Sequence, residues 1–184
     1  MKSFLKRSFV FLSLNVLVLI ALEQAHARDL TYKIGAGYSQ MFTNAFVAKG
    51  GTDGIPRQLN GVIASYGIAQ DLQVGGYFGF EDNFDHFMAG PFLRYDIHRL
   101  FNRELMMWNH LNIFVQTAFF IRTGGQVETG ITLQAPYIGF EIFPFSNNFF
   151  SLQTAAGVVI DFMKDNAIGF TNGMFGDVGV KYYF

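Results

Sequence analysis

From Leu30 onward the chain alternates apolar with polar or small residues, and the alternation recurs along most of its length. The first run sets Leu30, Tyr32, Ile34, Ala36 and Tyr38 against Thr31, Lys33, Gly35, Gly37 and Ser39. Period two is the signature of a strand with two unlike faces. Further runs place Val62, Ala64, Tyr66 and Ile68 on one parity, then Leu72, Val74, Phe78 and Phe80, then Phe87, Ala89, Leu93, Tyr95 and Ile97. A fifth carries Leu111, Ile113, Val115, Phe119 and Ile121; a sixth, Ile138, Phe140 and Ile142. Parity blurs in the sixth before Pro136, where a bulge or a change of face is expected. The seventh runs from Phe150 through Leu152, Val158, Ile160 and Phe162, and the eighth through Met174, Val178, Val180, Tyr182 and Phe184. The opposite parity is polar and rich in Gly, as in Gly61, Gly67, Gly75, Gly79, Gly139 and Gly179.

Residues 1–27 do not follow this pattern. Lys2, Lys6 and Arg7 precede an apolar stretch from Phe9 to Leu22, which ends on Ala25-His26-Ala27. A basic start, a short apolar run and a small-residue ending read as a secretory signal peptide cleaved after Ala27. A single domain, 28–184, then remains, with 10 basic and 13 acidic residues and a net charge of −3. That balance offers no field to concentrate nucleic acid. There is no cysteine, which excludes a disulfide framework and Cys-based zinc or redox chemistry.

Composition explains why the strands need an unusual solvent. Phe, Tyr and Trp make up 17% of the chain and charged residues 15%, an excess of aromatics that would leave large apolar patches in water. No stretch after Ala27 reaches the roughly 20 apolar residues of a membrane helix. Eight strands, each with about 20 residues including its connection, do fit the remaining chain, since about 9 to 11 tilted residues cross a bilayer. The expected fold is all-β: an eight-stranded antiparallel transmembrane up-and-down barrel, closed because an open edge in lipid would strand its backbone groups. The apolar parity, with many of the aromatics on it or at its borders, faces outward; the Gly-rich polar parity faces a narrow interior. With the N-terminus periplasmic, segments 43–58, 82–85, 123–128 and 164–171 fall outside the cell. Segments 70–71, 98–109 and 144–148 fall on the periplasmic side, where the length of 98–109 departs from the usual short turns.

The chain's end, Val178-Gly179-Val180-Lys181-Tyr182-Tyr183-Phe184, resembles the C-terminal strand signature of bacterial outer-membrane barrels. The resemblance implies that Val178, Val180, Tyr182 and Phe184 are read by the barrel-assembly machinery. As a whole, residues 28–184 resemble small eight-stranded barrels of the OmpA or OmpX type, which implies an outer-membrane address among lipid and lipopolysaccharide and a monomeric state. No activity follows from that architecture.

Two groups of charged residues are candidate sites. Lys33, Arg94, Asp96, Glu141 and Lys181 share the inward parity near the periplasmic end, where confined charges should pair. They are expected to plug the lumen with salt bridges; the resemblance implies an alternative, a network that rearranges to gate a narrow ion path. Near the outer rim lie Glu81, Asp82, Asp85, His86 and Arg122, together with Glu128 and Asp161. Their spacing matches no defined metal loop, and they read as solvated charge. Lipid A-modifying enzymes occur on such barrels, but no Ser stands beside His86 on its strand, and Ser39 and Ser65 carry no recognisable motif. Gly35-Ala36-Gly37 and Gly75-Gly76 precede no helix, which rejects a phosphate loop. The reading is a non-enzymatic membrane barrel without cofactor or metal, structural or surface-interacting. A narrow channel and a lipid A-modifying enzyme are the membrane rivals, and a lipocalin-like barrel is the soluble one.

Overall fold

The computed structural model describes residues 30–47, 54–81, 86–97, 110–124, 129–145, 149–163 and 170–184. The signal segment and the connection 98–109 lie outside the described residues. The described residues form β1(Ile34–Val47), β2(Gly54–Ala69), β3(Leu72–Phe80), β4(His86–Asp96), β5(Leu111–Gly124), β6(Gly130–Ile142), β7(Phe150–Met163) and β8(Phe170–Tyr183). Each strand pairs antiparallel with its neighbours in the sequence, and β8 returns to β1 to close the barrel. Closure leaves every strand with a partner on both sides over most of its length, which an isolated sheet could not do.

The alternation read from the sequence is the alternation of the wall. Ile34, Tyr38, Val62, Phe78, Leu93, Ile121, Ile138, Leu152, Val158 and Val178 are exposed on the outside, and the intervening positions turn inward. The anticipated irregularity before Pro136 is present. Thr132 and Gln134 face inward, then Tyr137, Gly139 and Glu141 do, and the β6–β7 register shifts between Gln134 and Ile138. One extra residue in the strand flips the parity without breaking the barrel.

Three expectations are corrected. Leu30 does not lie on the outer face; it is 2% exposed and packs with Phe143 and Tyr183. The chain turns before β1: Tyr32 has φ of 62°, its N–H donates to the Gly67 carbonyl, and the Lys33 N–H donates to the Leu30 carbonyl. A left-handed residue there ends the period-two geometry, so Leu30 folds into the barrel mouth instead of out to solvent. The segment 43–58 is largely strand, because β1 continues to Val47 and β2 begins at Gly54. Likewise β5 runs to Gly124 and β8 starts at Phe170, shortening the connections expected at 123–128 and 164–171.

The third correction concerns the interior, which is more apolar than its Gly and polar residues suggest. Met41, Leu59, Ile63, Tyr77, Met88, Phe92, Phe114, Phe120, Tyr137, Val159 and Phe175 form one buried cluster inside the wall. Glycines make room for the rings. A Cβ on Gly139 would collide with the Phe114 ring, one on Gly75 with the Phe92 ring, and one on Gly61 or Gly79 with Tyr77. Period two assigns a side chain to a face; the volume it must fill is set by its neighbours across the lumen.

Candidate functional site

The charged residues of the interior sit at different heights. At the end holding Leu30 and Phe184, Arg94 of β4 is the hub: its Nε donates to Asp96 Oδ1 (2.7 Å) and its Nη2 to Glu141 of β6. The other Glu141 oxygen, Oε1, accepts from Ser151 Oγ of β7 (2.6 Å) and Tyr183 Oη of β8 (2.7 Å). Gln73 Nε2 of β3 donates to Asp96 Oδ2 (3.2 Å). The Arg94 guanidinium lies 3.9 Å from the Phe114 ring centroid, a stacking contact worth more where water is excluded. Five strands thus converge on one ion pair, because their registers carry inward-facing polar residues to the same level.

Lys181 belongs to this group by position. It is 1% exposed, and its ammonium stands 5.7 Å from the Phe92 ring centroid and 5.9 Å from that of Tyr183. It lies in electrostatic range of Glu141, Asp96 and Asp177. Below the network, Leu30, Phe143 and Tyr183 form an apolar cap over the mouth. Lys33 stands apart from the network: its ammonium lies 5.5 Å from the ring centroid of Phe149, an exposed residue at the rim. The turn at Tyr32 places Lys33 before β1, outside the strand geometry that its parity assumed.

The second candidate group divides in two. Arg122 of β5 and Asp161 of β7 form a buried pair, with Arg122 Nε donating to Asp161 Oδ1 (2.6 Å) and Thr132 Oγ1 of β6 donating to the same oxygen (2.7 Å). Closer to the opposite end, Arg57 Nη1 donates to both Glu81 oxygens (3.1 and 3.2 Å), and His86 Nδ1 contacts Glu81 as well. Asp82, Asp85 and Glu128 lie outside the described residues. Arg57 lies in the segment 43–58 that its composition marks as a loop; with β2 beginning at Gly54, it falls on the inner parity with Leu59 and Gly61. Ser39 donates to Asp177 Oδ1 (2.8 Å), an inner-face contact on the opposite parity from the outer wall. Among the described residues no group of three or more His, Cys, Asp or Glu could hold a metal.

On the outer wall, Val178, Val180, Tyr182 and Phe184 all face outward from β8 and its end. Beside them is a polar feature that apolar periodicity concealed. Tyr38 Oη and Gln40 Nε2 both donate to Asn60 Oδ1, at 2.6 and 3.0 Å, so three outward polar side chains satisfy one another in mid-strand.

No protein-family model matches the chain, and no curated protein matches it in sequence. Solved structures do match in shape. The N-terminal β-barrel domain of Pseudomonas aeruginosa OprF superposes with a TM-score of 0.52 at 10% identity, over 84% of this chain and 98% of that one. The fold is that of the small outer-membrane barrels. Neisserial surface protein A matches with a TM-score of 0.50 at 13% identity, over 83% of this chain and 96% of that one. At these identities the small outer-membrane barrels share an architecture with this chain, and its interior must be read from its own residues.

Proposed function

We propose that this chain is an integral outer-membrane barrel with a closed interior, acting as a structural and surface-presenting element of the envelope. The observation that carries this reading is the series of buried side chains inside the wall. The Leu30–Phe143–Tyr183 cap, the Arg94–Glu141 network, the aromatic cluster around Phe92, Phe114 and Tyr137, and the Arg122–Asp161 pair occupy successive levels. A barrel of eight strands has an interior that side chains can fill, and the burial of these residues supports that reading. The apolar exterior supports a hydrocarbon environment, and strands of 9 to 16 residues suit a tilted crossing. Val178, Val180, Tyr182 and Phe184, displayed outward at the closing strand, suit the role of an assembly signal.

Refolded protein tests the reading in two steps. Heat-modifiable migration on a detergent gel is expected for the membrane barrel, and full solubility without detergent overturns it. Planar-bilayer recordings of the folded barrel should then be silent at moderate voltage; steady unitary currents would overturn the closed interior.

One observation favours a second reading, a gated narrow channel. Glu141 has two cations within reach, Arg94 in contact and Lys181 nearby, so an exchange of partners could open the network. On that reading E141A or R94A gives conductance that the unmodified barrel lacks, and closed traces from both variants remove it.

A further inference from the structure

The outer wall gathers its strongest polar groups in one place. Among the described side chains on the strands' outer face there is no Asp, Glu, Lys or Arg, and the only amides are Gln40, Gln58 and Asn60. All three lie on β1 and β2, where Gln40 is the ladder partner of Asn60 and Phe42 that of Gln58. They stand within the apolar band: Phe42 is exposed beside Gln58, and Met174, 69% exposed, lies further toward the rim on β8. Gln40 Nε2 and Tyr38 Oη are directed at Asn60, whereas the exposed Gln58 takes no part in that triad. An amide that meets only hydrocarbon is costly, so a lipid-facing Gln calls for a covering partner.

Next to the amides the wall is hollowed. Ala36, Ala64 and Gly76 form a continuous ladder row across β1, β2 and β3, and with Val62 and Phe78 they line a recess of about 590 Å³. No side chain in that row extends beyond Cβ, so a second wall can approach closely there. A primary amide carries both donor and acceptor and is therefore its own complement. A two-fold axis along the membrane normal sets equal heights against each other, small residues against small residues and amide against amide. We propose that this β1–β3 face is the contact between two copies of the chain, with the Ala36–Ala64–Gly76 rows packed together and the Gln58 amides paired across the axis. An anionic headgroup is the poorer occupant, because the outer face offers it no cation among the described side chains. The inference rests on the barrel standing in a membrane, and it departs from the monomer expected of small barrels.

The chain has no cysteine, so single-cysteine variants report the contact directly. Val62 lies inside the proposed face and Ile138 on β6 across the barrel, and they are equally open, at 55% and 54% exposed. The full barrel is refolded in phosphatidylcholine vesicles over a range of lipid-to-protein ratios, oxidised with copper phenanthroline and run on a non-reducing gel. V62C should form a crosslinked dimer at dilutions where I138C stays monomeric. In the V62C background Q58L should weaken dimerisation about tenfold, the scale of two reciprocal hydrogen bonds. G76L should weaken it at least as much. A Cβ at Gly76 would meet only the Gly90 carbonyl oxygen, at 3.8 Å, so the new side chain fills the recess without a backbone clash. Both variants should keep heat-modifiable migration. Equal crosslinking of V62C and I138C, or crosslinking of V62C that either Q58L or G76L leaves unchanged, overturns the interface while leaving the membrane barrel intact. A V62C barrel that stays monomeric at every ratio overturns it too, and protection of that cysteine from maleimide by added lipopolysaccharide would then assign the face to lipid headgroups. Absence of heat-modifiable migration in the unmodified protein overturns the barrel reading and the interface with it.

Discussion

Arg94 and Arg57 each hold a carboxylate inside the same wall, yet their surroundings differ. The side chains of Arg94 and Glu141 are both 0% exposed, and the Glu141 oxygen turned away from Arg94 accepts from both Ser151 and Tyr183. Those of Arg57 and Glu81 are 19% and 16% exposed, and the Glu81 carboxylate also contacts His86. A sealed pair must be satisfied by protein because desolvation costs several kcal/mol per ion, whereas water completes the shell of a rim pair. Each cluster keeps a donor without a hydrogen-bond partner among the described residues, Arg94 Nη1 and Lys181 Nζ in the sealed one and Arg57 Nε at the rim, so the difference between them is access to water.

Removing one partner from each cluster separates them. E141A should cost about 3–5 kcal/mol, because it leaves Arg94 buried with one of its two carboxylate partners gone and strands Ser151 and Tyr183. Urea titration of the folded fraction in vesicles, read from the heat-shifted gel band, measures it; a loss under about 1 kcal/mol would mean that the site is wetter than its geometry implies. G139A probes the floor on which Arg94 stacks. Its new methyl collides with the Phe114 ring and should cost about 1–3 kcal/mol. The same titration should show F114L relieving part of that loss in the double variant, and strict additivity would deny the contact.

At the two rims the expected changes are smaller. E81Q keeps the side chain's shape and removes a partly hydrated charge, so it should shift the midpoint by about 1 kcal/mol or less. K33M should be smaller still, within about 0.5 kcal/mol, because Lys33 contributes only a rim contact with Phe149. A K33M loss comparable to that of E141A would return Lys33 to the sealed network from which the turn at Tyr32 separates it.

The sequence was readable where a single rule governs. Period two located the faces of all eight strands, and the blurred parity at Pro136 marked the β6 bulge. It could not show Leu30 entering the mouth, because a non-glycine residue with φ of 62° carries little local signal. Nor could it separate Arg122 from Glu81 and His86. Those residues are near one end of their strands in sequence, but height inside a barrel depends on stagger, and stagger brings Arg122 to Asp161 two strands away. Arg57 was hidden for a different reason: the Gly and Pro residues around 50–56 look like loop, although β2 begins at Gly54. The aromatic interior was missed because periodicity reports direction and is silent about occupancy.

The glycine recesses beneath the inner rings have a consequence for how this sequence can drift. Gly139 and Phe114 occupy adjacent strands and compete for one volume, as do Gly75 and Phe92. Neither member of such a couple can enlarge alone, so the couple is inherited as a unit. Relatives that gain a side chain at position 139 should also carry a smaller residue at 114, a paired signature in which the barrel's internal diameter would be written into its ancestry.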